Sequence, residues 1–132
     1  MNLKKYEDYF HDGGINNIKQ NDENIEFFME SCEILPEWKE VDIKLSKCNT
    51  ITGKLILSGI KKIIIDDKPV DKIIQIYDDA GILDFDIYED HVRFLLEWFN
   101  NFPKEQISKW ECIIIFASHV EWENIPDLLD NK

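Results

Sequence analysis

Thr50-Ile51-Thr52-Gly53-Lys54-Leu55-Ile56-Leu57-Ser58-Gly59-Ile60-Lys61-Lys62-Ile63-Ile64-Ile65-Asp66 is the stretch that decides the fold. On an extended chain Ile51, Leu55 and Leu57 fall on one face, and Thr50, Thr52 and Lys54 on the other. That is the period of two of a half-buried strand. Beyond Gly59, Ile63-Ile64-Ile65 is an unbroken β-branched run, which predicts a strand covered on both faces. Gly53 and Gly59 lack a Cβ and suit a bulge, a bend or a close approach of backbones. Two strand segments meeting at Gly59 are expected, at the centre of a sheet.

Downstream, Asp66-Asp67-Lys68-Pro69 is turn chemistry, since Asp bonds its own backbone and Pro presets φ. Lys72 to Tyr77 is expected as a strand and Asp78-Asp79-Ala80-Gly81 as the next turn. Ile82 to Tyr88 then sets Leu83, Phe85 and Ile87 against Asp84, Asp86 and Tyr88. His91 to Phe99 fits a strand with Val92, Phe94, Leu96 and Trp98 on one face, or a helix capped by Asp90. The short Glu89-Asp90 turn and the β-rich surroundings favour the strand. After a loop at Asn100–Gln106, Trp110, Cys112, Ile114 and Phe116 alternate in a long strand expected to continue through Val120 and Trp122. Ile125 and Leu128 are expected to pack the tail onto the body.

Upstream, Asn24 to Ser31 places Ile25, Phe27 and Met29 on one face. The turn Asn21-Asp22-Glu23 joins it to a weaker strand begun by Ile15 and Ile18. Leu3, Tyr6 and Phe10 recur at helical spacing, so residues 1–10 form a short helix or an irregular segment ended by Asp12-Gly13-Gly14. Glu33 to Asn49 is the least periodic part, and Pro36 denies it a central-strand role. It reads as a long connection tacked down by Leu35, Trp38 and Ile43. About eight strands with turn signals every eight to twelve residues predict a mainly β fold. The sheet is antiparallel and forms a sandwich or open barrel, with at most one or two short helices. Residues 1–132 form a single domain, of a size that supports one core.

Fifteen basic and 27 acidic side chains give a net charge of −12. The charge is distributed, at −5 for residues 1–50, −4 for 51–100 and −3 for 101–132. Such a surface repels phosphate backbones, which argues against nucleic acid and anionic membranes as partners; a basic partner fits the charge, and so does plain solubility, the blander reading. Cys32, Cys48 and Cys112 cannot all pair and show no CxxC spacing. With no N-terminal apolar run, free thiols and a cytoplasmic location are expected. Cys112, inside an apolar run, reads as a small core residue.

Few residues ask for chemistry. His11-Asp12-Gly13-Gly14 could supply a base or a metal ligand, but neighbouring side chains rarely chelate together, and the plainer reading is a turn. His91 and His119 read as boundary residues. The carboxylates Asp66, Asp67, Asp71, Asp78, Asp79, Asp84, Asp86, Glu89 and Asp90 read as a solvated face. A carboxylate pair of the glycosidase type is available in any chain this acidic. No nucleophile elbow, phosphate loop or calcium loop is present, and no cofactor is implied. Of the four tryptophans, Trp98 and Trp110 are expected in the core. Trp122, between Glu121 and Glu123, is expected to be partly exposed and to frame a site for a cationic group.

The segments Tyr9-Phe10-His11-Asp12-Gly13, Met29-Glu30-Ser31, Thr50-Ile51-Thr52-Gly53-Lys54-Leu55, Gly59-Ile60-Lys61 and Trp122-Glu123-Asn124-Ile125-Pro126 carry a resemblance. Together they resemble a family of small, acidic, uncharacterised bacterial proteins. That family has no assigned activity, so the resemblance implies no catalytic residue. In size and acidity the chain is also similar to immunity proteins of bacterial toxin systems. The expected function is a non-enzymatic binding or inhibitory protein for a basic partner, with His11, Asp12, Glu121, Trp122 and Glu123 as candidate contacts. The alternatives are a metal-dependent or carboxylate-based hydrolase using His11 and Asp12, and an accessory domain that self-associates through a sheet edge.

Overall fold

The computed structural model describes residues 3–35, 37 and 43–128. Pro36 and Trp38, expected in the long connection, lie outside the described residues. A 3₁₀ turn, Leu3–Tyr6, runs into the one-turn helix α1, Glu7–Phe10. Seven strands follow: β1 Gly14–Asn21, β2 Asn24–Glu30, β3 Thr52–Ile65, β4 Lys68–Val70, β5 Asp79–Ile87, β6 His91–Phe99 and β7 Ser108–Asn124. All neighbours are antiparallel, in the order β2-β1-β5-β6-β7-β3-β4, and β2 also pairs with β3. The ladder therefore returns on itself as a six-stranded ring, a barrel whose weakest seam is β1–β5, joined only at Gly14–Gly81 and Ile15–Ala80. The short β4 is a further edge, and its Lys68 and Pro69 discourage strand addition there.

The inward faces are apolar because each strand alternates. Ile25, Phe27 and Met29 of β2, Leu55 and Leu57 of β3, Val92, Phe94, Leu96 and Trp98 of β6 are all buried. Phe85 and Phe94 stack at 4.7 Å, and Phe27 meets Phe94 at 4.8 Å, so side chains fill the interior. Tyr6 and Phe10 are buried against Trp122, at 5.9 and 5.1 Å. Helical spacing at the N-terminus thus serves to lay aromatic rings on the core.

The mid-chain stretch is one 14-residue strand and not two. Gly59 bends it at φ +66, and Lys61 is left unpaired as a bulge between Ile60 and Lys62. Ile63 is buried, but Ile64 and Ile65 are only partly so, and the run is not covered on both faces as expected. The Asp66-Asp67 turn that follows has both residues at positive φ, the geometry of a two-residue hairpin.

Opposite Gly59 the phase of β7 slips. Ile113, Ile115 and Ala117 face inward, Ser118 and His119 are both exposed, and Trp122 is inward again. The expectation of one continuous face from Trp110 to Trp122 is corrected by that slip. Cys112, Ile114 and Phe116 turn outward and are only partly buried, so Cys112 is no core residue. A second bulge, at Leu83 between Ile82 and Asp84, puts Ile82 rather than Leu83 in the core of β5. Asp79-Ala80-Gly81 already belongs to β5, so the turn expected there ends at Asp78. Ile125 and Leu128 are exposed, contrary to the packing expected of the tail.

Residues 71–78 form no strand, although one is expected from Lys72 to Tyr77. Glutamine side chains take the place of the ladder. Gln75 Oε1 accepts from Ile18 N at 2.9 Å, and Gln75 Nε2 donates to the carbonyls of Asn16, Tyr77 and Asp78. Gln20 Oε1 accepts from Ile73 N at 2.9 Å, and its Nε2 donates to Asp71 O. These bonds cover the part of β1 that β5 leaves unpaired. Replacing Gln75 by Ala leaves the part-buried Ile18 N without its acceptor, and should cost about 1 kcal/mol. Denaturant melts should show the loss and hydrogen exchange should locate it at Ile18. Unchanged protection of that amide would count against the glutamine seam.

Candidate functional site

The candidate site lies on the outside of the β6–β7 hairpin and the adjoining half of β3. Antiparallel register sets Glu97 opposite Trp110, Leu95 opposite Cys112, Arg93 opposite Ile114 and His91 opposite Phe116. On the other side of β7, Ile64 pairs with Ile114 and Lys62 with Phe116. Paired residues share a face, so Leu95, Cys112, Ile114, Ile64 and Phe116 form a partly buried apolar strip, with Trp110 at one end 60% exposed. The inward face of β7 carries the core, and its outward face is apolar as well.

Charge frames this strip. Arg93, the chain's one arginine, donates to Asp84 at 3.0 Å and Asp86 at 3.1 Å. At the far end His91 stacks between Tyr88 at 4.4 Å and Phe116 at 4.7 Å, and its Nδ1 donates to Asp90 at 2.7 Å. That hydrogen bond holds the Asp90 carboxyl below the usual carboxylate range. His91 is thus locked as part of the strip's border.

The β6–β7 loop, residues 100–107, carries Phe102, 90% exposed. Asp78 anchors the loop by accepting from Lys104 Nζ at 2.6 Å and from Asn101 N at 2.8 Å. The bond from Lys104, and then that from the Asn101 backbone, lowers the Asp78 pKa from its ordinary 3.8. A carboxyl with a depressed folded-state pKa supports the loop above its unfolded value and releases it as pH falls through the folded one. The Asn101 amide should therefore keep its protection at about pH 5 and lose it only as pH falls below the ordinary carboxylate value. Asp78 titrating at or above the ordinary value in NMR would refute the anchor.

The residues singled out from sequence do not come together. His11 and Asp12 are exposed, 3.9 Å apart at closest approach. Asp12, at φ +67, donates its N–H to Ile82 O, so this pair makes the turn between α1 and β1. Trp122 is only 8% exposed, and its Nε1 donates to Asn124. Glu121 and Glu123 point the opposite way, beside Ile56 and Lys54 of β3. The two tryptophan expectations are thus exchanged: Trp110 is outside and Trp122 inside, because the phase slip at Ser118–His119 separates them. Alternation places Trp110 on a common face with Cys112, Ile114 and Phe116, but does not say which side that face takes.

Among the described residues, no group of three or more His, Cys, Asp or Glu side chains is placed to hold a metal ion. Among them, too, no helix is long and apolar enough to cross a membrane. A groove of about 400 Å³ near the N-terminus is lined by Leu3, Lys4, Tyr88, Glu89, Ser118 and His119, a set of mixed charge. The fold is a partly open antiparallel β-barrel with a filled interior. No family model matches the chain, and no curated protein or solved structure matches it.

Proposed function

We propose that the protein is a non-enzymatic binding protein, an inhibitor of the immunity type that covers a basic surface of a protein partner. The observation that carries this reading is the apolar strip ending in Trp110, set in a chain of net charge −12. Tryptophan flanked by partly buried aliphatic residues is the composition of a binding hot spot. Long-range attraction to a cationic surface would speed encounter, and the strip would hold the complex once formed. Nucleic acid and anionic membranes do not suit that field, and a cytoplasmic location fits the free thiols Cys32, Cys48 and Cys112. Packing of Phe27, Phe85 and Phe94 through the barrel leaves recognition to the exterior.

The test is capture from a lysate of the source cell by wild-type protein and by Trp110→Ala in parallel. A basic protein retained by the first, lost by the second and released progressively by salt supports the reading. Recovery of no basic protein, or binding indifferent to both salt and Trp110, overturns it.

A further inference from the structure

Glu30, Gly14, Gly81, Glu97 and Trp110 lie side by side across five strands, as the pairings Glu30–Gly14, Gly14–Gly81, Gly81–Glu97 and Glu97–Trp110 require. All five are on the outer face, opposite the inward Met29, Ile15, Ile82 and Leu96. Two adjacent glycines in such a row leave a trough floored by bare backbone. With strands about 4.8 Å apart, the flanking glutamate Cα atoms stand about 14 Å from each other across it. A groove of about 290 Å³ occupies this place, lined among others by Gly13, Gly14, Glu30, Asp79, Gly81 and Phe99.

Gly13 has a structural reason to be glycine, because a Cβ there would stand 2.4 Å from Glu30 O. Gly81 has none. Its φ is not in the left-handed region, and a Cβ would meet nothing within 4 Å. A strand glycine weakens its strand and marks a bulge, a bend, or a place where a ligand or another backbone approaches; the bulge of β5 itself falls at Leu83 and not at Gly81. What the missing side chain does is keep the trough open.

The walls say what fits. Of the carboxylates that line the groove, Glu30 accepts from Thr50 Oγ1 and Asp79 from Asn101 Nδ2, both neutral donors. Among the described residues neither has a cation within ion-pair distance. Glu97 stands beside the groove with its carboxylate turned to Ser108 Oγ of β7. Phe99, partly exposed and opposite Asp79, adds an aromatic wall. We infer that the Gly14–Gly81 trough receives an arginine side chain of the basic partner, its guanidinium flat on the glycine floor between carboxylates. This rests on the binding reading above, and extends the contact surface from Trp110 across Glu97 to β1.

The test uses the whole protein and no partner, so its result is separate from the lysate capture. ¹⁵N–¹H spectra are titrated with N-acetyl-arginine methylamide and, separately, with spermidine. The expected result is saturable movement of the Gly13, Gly14 and Gly81 amides with the arginine derivative. Gly81→Val, which fills the trough, should weaken it at least tenfold, and Glu30→Gln several-fold. Should Gly81→Val fail to fold, Glu30→Gln decides by the same criterion. Movement elsewhere, indifference to these substitutions, or tighter binding of spermidine at the same glycines overturns the inference.

Discussion

Gly53→Ala should abolish or cripple folding, whereas Gly81→Ala should leave stability unchanged or slightly raised. Both glycines lie within strands, and a propensity scale would treat them alike. Their surroundings differ. A Cβ at Gly53 would stand 2.1 Å from Glu123 O and 2.9 Å from Ile125 N, both backbone atoms, and 3.0 Å from Trp122 Cζ2. No rotamer change relieves a clash with backbone. Gly53 sits in the middle of a three-strand contact, opposite Met29 of β2 and Asn124 of β7, so β7 would have to move off β3. Ile125 N donates to Thr52 O at 2.8 Å next door, and that bond would go with it. Overpacking usually costs about 1–3 kcal/mol, and displacing a paired strand puts the expectation at about 4 kcal/mol or more. Against a total of about 5–15 kcal/mol for a domain, that is a large fraction. Gly81→Ala adds a Cβ in open space and removes unfolded-state entropy, for a gain of up to about 1 kcal/mol. Thermal melts decide between them. A Gly53→Ala protein melting within a few degrees of wild type would mean that the β3–β7 approach is looser than described.

The contrast also shows what can be read from a one-dimensional pattern. Alternation in Val92-Arg93-Phe94-Leu95-Leu96-Glu97-Trp98 placed the core face of β6 correctly, because that strand runs through without a bulge. Asp66-Asp67 announced its turn because the chemistry is local. The misses are where a local pattern meets a distant partner. Gly59 was legible as a bend, but its effect falls on β7, where Ser118 and His119 lose the alternation. Lys72 to Tyr77 looked like a strand because its pattern is that of one. Only the position of Gln20, some fifty residues earlier, reveals that side chains replace its ladder. The row from Glu30 to Trp110 draws on five separate strands and is set by register, including the bulge between Ile15 and Asn17 of β1. No spacing in the chain encodes it.

Trp110→Ala should leave the fold intact and weaken partner binding by about thirtyfold or more, while Trp122→Ala should do the reverse damage. Trp110 is 60% exposed on the outer face of β7, so its loss should change stability by no more than about 0.5 kcal/mol. Trp122 contacts Tyr6 and Phe10 inside the barrel end, and removing a buried tryptophan costs about 3–5 kcal/mol. For binding the order inverts. A tryptophan that an interface buries as an anchor is worth about 2 kcal/mol or more, which is the thirtyfold stated. Leu95, Cys112 and Ile114 beside it would act as the rim that excludes water, so each should matter less than Trp110. Titration calorimetry of both variants against the captured partner, with melts alongside, makes the comparison. Acidic residues on their own would give an affinity that falls steeply with salt and ignores Trp110, since charge attraction is not tied to one side chain. Retained salt dependence with lost affinity in Trp110→Ala is therefore the signature that separates steering from anchoring. Full-strength binding by that variant would place the contact surface elsewhere on the barrel.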